Sequence, residues 1–175
     1  MDQGLARDVD ARCRLTGEFT LRSGQVAGEY FDKYLFETDP DLLARVASAM
    51  VPLLPAGTDL LGGLEMGGIP IVTVVSAKSR IPALFVRKEA KTYGTCQLAE
   101  GGEVDGCRLT VVEDVVTSGG QVVTSCGDLR ERGAVVEHAL CVIDRESGGP
   151  EGLADIGVVL HPLFTMSELK QAGEG

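Results

Sequence analysis

An α/β fold with a mostly parallel central sheet flanked by helices is the class this sequence predicts. Three observations lead there. Short apolar runs recur along the chain, stretches of helical periodicity separate them, and glycines and prolines mark the joints. The 175 residues suit a single domain spanning 1–175, since about 100–200 residues is the usual domain size.

The elements follow in order. The first dozen residues read as a short helix, and Phe19 to Gly24 as a strand running into a Ser-Gly turn. Asp39 is placed to cap a helix that starts at Pro40 and repeats Leu42, Leu43, Val46, Ala47 and Met50 on one face. Pro52 and Pro55 end it. A buried strand over 59–62 leads into the turn Gly63 to Gly68, and a second apolar helix runs from Ile69 to about Ala77. Residues 83–86 form the next strand, with Arg87 and Lys88 at its carboxyl end.

Residues 88–107 show no periodicity, the mark of a functional loop inside a compact domain. Strands follow over 109–112, 134–143 and 157–164, with a helix over 121–132 that Gly133 stops. Residues 152–155 read as a short turn or helix. Thr165 and Glu168 have capping-box spacing for a C-terminal helix.

Composition removes several classes. The formal net charge is -10, from 16 basic and 26 acidic residues, which disfavours nucleic-acid binding. No apolar run approaches the ~20 residues of a membrane span, and the acidic N-terminus lacks a signal-peptide pattern, so a cytoplasmic location without membrane contact is expected. Five cysteines without C-x-x-C spacing fit a reducing compartment and buried thiols. His138 and His161 read as structural.

The chemistry concentrates in V-V-E-D-V-V-T-S-G-G, residues 111–120. Ligands of parallel sheets collect beyond the carboxyl ends of strands. Bare glycines at a helix start let several N–H groups converge on a phosphate. The acids Glu113 and Asp114 favour hydroxyls, or a magnesium ion bridging to a phosphate. A ribose 5-phosphate satisfies both halves. A Walker loop is excluded because G-K-[ST] is missing.

The same stretch resembles the phosphoribosyl pyrophosphate motif of the type I phosphoribosyltransferases. F-V-R-K-E-A-K-T-Y-G-T (85–95), F-T-L-R-S-G…Y-F-D (19–32) and G-G-L-E-M-G-G-I-P (62–70) are similar to segments of its orotate-specific members. The resemblance implies a type I phosphoribosyltransferase-like fold, with a small hood from the N- and C-terminal segments and a mobile lid loop. It implies transfer of ribose 5-phosphate from phosphoribosyl pyrophosphate to orotate, with Mg2+ as cofactor held mainly through substrate near Glu113 and Asp114. A homodimer is implied too, its lid reaching the neighbouring subunit.

Residue roles follow from the same resemblance. Lys91, Glu113 and Asp114 take the catalytic positions. Arg22, Arg87, Lys88 and Lys91 fall where the donor's anionic groups are bound. Val115, Val116, Thr117, Ser118, Gly119, Gly120 and Gln121 make the turn that holds the 5-phosphate. Phe31, Asp32, Thr117 and Arg145 match orotate contacts, and a guanidinium suits a planar carboxylate because its fork donates two parallel bonds.

The chain departs from the family pattern at two points. Tyr93 stands where the lid often has histidine, and Met66-Gly67 where some members have tyrosine-lysine. Two competing readings are a phosphoribosyltransferase for another base and a non-catalytic sensor of phosphoribosyl pyrophosphate. The lid cations favour an enzyme. Replacing Lys91 with alanine is expected to lower turnover ~10²-fold in steady-state kinetics, the scale of one lost transition-state donor. A near-normal rate removes Lys91 from the mechanism.

Overall fold

The computed structural model describes residues 2–20, 24–89 and 98–174. The chain opens with α1 (Gln3–Cys13), capped by Asp2, whose carboxylate accepts the Leu5 N–H at 2.9 Å. Leu5, Ala6, Val9 and Cys13 make its buried face. Then β1 (Arg14–Thr20) and β2 (Val26–Phe31) pair as an antiparallel hairpin outside the main sheet, with Phe19 against Tyr30. The sequence reading placed its strand at 19–24 and had no second one. V-A-G-E-Y-F is largely exposed and carries no apolar alternation.

A single turn, α2 (Tyr34–Glu37), precedes α3 (Pro40–Met50). The predicted cap forms, with Asp39 Oδ1 accepting the N–H groups of Asp41 and Leu42 at 3.2 and 3.1 Å. All five residues assigned to its apolar face are buried.

The rest alternates strand and helix: β3 (Leu60–Leu64), α4 (Gly68–Ser79), β4 (Ala83–Val86), β5 (Ala99–Glu100), β6 (Arg108–Val116), α5 (Gly120–Arg130), β7 (Val135–Asp144), α6 (Gly149–Ala154), β8 (Val159–Thr165) and α7 (Met166–Glu174). The sheet order is β5-β4-β3-β6-β7-β8, and every pairing is parallel except β4 with β5. One face packs under α1, α3, α4 and α7 through Leu61, Val112, Leu140 and Val142. The other packs under α5 and α6 through Leu109, Val111, Ala139 and Cys141. Both faces are covered, as parallel strands require.

The predicted capping box closes α7. The Thr165 N–H donates to Glu168 at 2.7 Å, and the Glu168 N–H to Thr165 Oγ1 at 3.2 Å. Arg7 reaches across from α1 to the carbonyl of Ala172 at 3.3 Å, so the first helix and the last pack together.

Two readings need correction. The strand assigned to 109–112 runs on to Val116, so Glu113 and Asp114 lie inside β6 and not beyond its end. Within the stretch read as aperiodic, β5 adds an antiparallel edge strand, and Leu98, Ala99 and Val104 are buried. Two paired residues are too few to leave a periodic signal.

Arg130, near the end of α5, ties three elements together. Its Nε and Nη2 donate to the Val136 carbonyl and its Nη1 to the Ile156 carbonyl at 2.9 Å. Arg130→Met keeps the aliphatic stem and strands those carbonyls. It is expected to cost about 2 kcal/mol in urea unfolding; a loss near zero would mean water satisfies them.

Candidate active site

Alternation along β6 sends its two acids to different layers. Glu113 follows Val111 toward α5 and lines a cavity of about 180 Å³ with Val115, Val116, Thr117, Ser118, Gly119, Gly120, Gln121 and Val122. Asp114 follows Val112 toward α2 and α4, where its side chain is fully buried.

The turn after β6 is built for an anion. Gly119 sits at φ 79°, a left-handed conformation that side chains disfavour, and precedes the first turn of α5. The first N–H groups of a helix have no intrahelical partner and carry partial positive charge. Gly149 at the start of α6 backs this turn: a side chain there would run into Val116 and the Thr117 carbonyl. The loop is therefore held from behind.

A second cavity of about 200 Å³ is lined by Tyr30, Phe31, Lys33, Tyr34, Val115, Thr117, Arg145 and Met166. Phe31, Thr117 and Arg145 were assigned from sequence to one ligand, and they meet here. The alternative for Arg145, a salt bridge to Asp144 or Glu146, does not form. Asp144 accepts the Glu146 N–H at 2.9 Å, and Glu146 accepts the Ser167 N–H at 2.9 Å. Asp32, assigned to the same pocket, is not among its lining residues. Its carboxylate instead accepts the Tyr34 N–H at 3.1 Å and shapes the turn into α2.

Between the two cavities lies a cluster that sequence reasoning missed. Lys33 forms an ion pair with Asp114 Oδ2, and the buried Glu37 lies beside them. Burial pushes the Lys33 amine down, but the hydrogen bond and charge of Asp114 outweigh it and raise its pKa. Burial pushes Asp114 up, yet hydrogen bonds from Glu113 and Lys33 prevail and hold it low. Glu37 is raised to about 8, first by burial and then by the charge of Asp114. Glu113 is raised well above the usual range, again by burial first and then by hydrogen bonding to Asp114. The cluster thus sets one ammonium among three acids, of which Asp114 is the one held low. Gly67 completes it, because any side chain there would overlap Asp114 Oδ2.

At the sheet's other flank, Arg87 and Lys88 follow β4. The Arg87 N–H donates to the Leu98 carbonyl at 2.9 Å, and the Lys88 N–H to Glu65 at 3.3 Å. Lys88 therefore stands beside the turn between β3 and α4, whereas the Arg87 guanidinium lies 4.0 Å from Glu100 on β5. Arg22, Lys91 and Tyr93 lie outside the described residues.

Comparison with known proteins fits this arrangement. No family model matches the chain. It is 59% identical over 174 residues to an orotate phosphoribosyltransferase of Nocardioides sp. (strain ATCC BAA-499 / JS614), covering 99% of this chain and 97% of that one. The chain belongs to the orotate phosphoribosyltransferase family. Among solved structures, the Mycobacterium tuberculosis orotate phosphoribosyltransferase in complex with Fe(III) dicitrate superposes with a TM-score of 0.87 at 30% identity, over 95% of this chain and 97% of that one. The same enzyme in complex with 5-phospho-α-D-ribosyl 1-diphosphate gives 0.82 at 27% identity, over 96% and 98%. The type I phosphoribosyltransferase fold of this family is therefore the fold of this chain.

Lys33 and Glu37 carried no signal in a single sequence, because only tertiary folding brings α2 against β6. The gap left by Met66-Gly67 was visible; that it makes room for Asp114 was not.

Glu37 gives the site a pH signature. With a folded value of about 8, against ~4.3 when unfolded, the native state binds its proton more tightly. That contribution is complete below the unfolded value and is lost as pH rises through the folded one. The melting temperature of the unliganded protein is expected to fall between about pH 5 and 8, and Glu37→Gln to flatten the decline. An unchanged slope in the variant would show that Glu37 is not held protonated.

Proposed function

We infer that this chain catalyses transfer of ribose 5-phosphate from phosphoribosyl pyrophosphate to N1 of orotate, releasing pyrophosphate and forming orotidine 5'-phosphate. One observation carries the reading. The glycine-turn cavity and the Arg145 cavity share Val115 and Thr117, so a phosphate in one and a planar base in the other are spaced for a sugar between them.

The backbone amides at the start of α5 hold the 5-phosphate. Glu113, at the edge of the same cavity, faces the sugar hydroxyls, with Asp114 behind it. Arg145 receives the orotate carboxylate as a fork, while Phe31, Tyr30 and Tyr34 wall the ring. The bond from C1 of the sugar to the diphosphate breaks as the bond to N1 of orotate forms, and the N1 proton passes to the departing diphosphate or to water. Positive charge builds on the sugar and negative charge on the diphosphate. Arg87 and Lys88, with Lys91 and Arg22, supply fixed cations for that leaving group, which is electrostatic preorganisation.

Magnesium fits as an ion carried by the donor. Among the described residues, no group of three or more acids, histidines or cysteines is arranged to hold a metal alone, while Glu113 offers a carboxyl at the sugar. When bound, the ion neutralises charge on the diphosphate. Closure of the segment after Arg87 as a lid, as the family resemblance implies, would keep water from the activated sugar. The exposed Met66 and Phe85, at the carboxyl ends of β3 and β4, offer apolar surface for a second copy, in line with a homodimer whose lid reaches its neighbour. A cytoplasmic location accords with the free cysteines, three of them buried, and with the absence among the described residues of a helix long and apolar enough to cross a membrane.

The test follows orotate absorbance with phosphoribosyl pyrophosphate and magnesium present. Absorbance is expected to fall with release of stoichiometric pyrophosphate, whereas uracil, hypoxanthine and adenine should yield little product. Turnover of another base but not orotate, or donor binding without pyrophosphate release, would reverse the reading.

A further inference from the structure

Lys33 stands where the two halves of the site join. Its ammonium pairs with Asp114, whose side chain has no exposed surface, and its stem lines the cavity that holds Phe31, Thr117 and Arg145. It also lies 5.1 Å from the centre of the Tyr34 ring, which limits its freedom on the cavity side. Glu37, one helical turn on, packs its buried carboxyl into the same cluster. Opposite them, Gly67 leaves the space that the Asp114 carboxylate fills. Asp114 is thus bracketed from three sides, and Lys33 is the cation of that bracket.

We propose that Lys33 is a positioning residue of the transfer reaction, acting through Asp114 to fix the acidic pair against the ribose of the donor. The proposal rests on the activity inferred above. Its reasoning is geometric. A buried carboxylate without a cation takes up a proton or turns away from its neighbours. Either change would move Asp114, and Glu113 with it, since the two are adjacent residues of β6. Lys33 joins this pair to the α2 segment directly after Phe31, so the wall of the base cavity and the sugar-facing acids share one anchor.

Three variants test it: Lys33→Met, Lys33→Arg and Asp114→Asn, with the Lys33→Met/Asp114→Asn double variant. Binding of phosphoribosyl pyrophosphate by calorimetry, without any base, is read beside steady-state kinetics with orotate. Lys33→Met is expected to weaken donor binding and lower kcat by about 10-fold each, the scale of coupling between contacting groups, with KM for orotate changed less than 3-fold. Lys33→Arg should recover most of the loss. The double variant should be no worse than Asp114→Asn alone.

Normal donor binding and kcat in Lys33→Met would overturn the proposal. So would losses that multiply in the double variant, or an effect confined to KM for orotate, which would make Lys33 a direct base contact. If Lys33→Met does not fold, Lys33→Arg decides: a folded Arg variant with a 10-fold loss of donor affinity contradicts a role that charge alone fulfils. Wild-type protein that binds donor but makes no nucleotide refutes the inferred reaction, and calorimetry still reads Lys33.

Discussion

A carboxylate with no access to water, near the end of the central strand, is the constraint on which this site depends. Asp114 is fully buried, and an isolated charge there would be strongly disfavoured. The fold answers with Lys33 across the layer, Glu37 beside it and a bare Gly67 to make room. Removing one partner of such a pair costs far more than the intact pair contributes, because the survivor is left uncompensated. The pair is therefore better understood as a device for holding geometry than as a source of stability.

Other features fall into place around that point. Because β6 continues through the acids, Glu113 is delivered to the glycine turn while Asp114 is held behind it. Gly119 bends the chain so that α5 presents its first amides to the same cavity, with α6 buttressing the turn. The hairpin and α2 bring Phe31 and Lys33 over the strand ends, opposite Arg145 after β7. The glycine-turn cavity, the acidic pair and the Arg145 cavity are thus arrayed along the carboxyl edge of one sheet, where parallel sheets place their ligands. The net charge of -10 makes the cations at 87 and 88 stand out, and the fold puts them at this edge.

Much of this was legible in the sequence, for identifiable reasons. The helix at 40–50 and the Thr165–Glu168 box were read because caps and periodicity are local. Phe31, Thr117 and Arg145 meet in one cavity, as the family resemblance implied, although none touches another in sequence. The strand at Val26–Phe31 was missed because its residues are mostly exposed, and α2 because a single turn leaves no period. The end of β6 was placed too early for a physical reason. Paired charges normally stop a buried strand, and the compensating lysine lies in a distant segment. Only the three-dimensional contact reverses that expectation.

The central claim is that acid pair, amide turn and base cavity hold one substrate between them. A crystal structure with phosphoribosyl pyrophosphate bound tests it most directly. The account predicts the 5-phosphate within about 3 Å of the amides of residues 117–120, the sugar diol on the acidic pair, and Lys33 still against Asp114. A donor anchored elsewhere, or a diol facing away from Glu113 and Asp114, would contradict it.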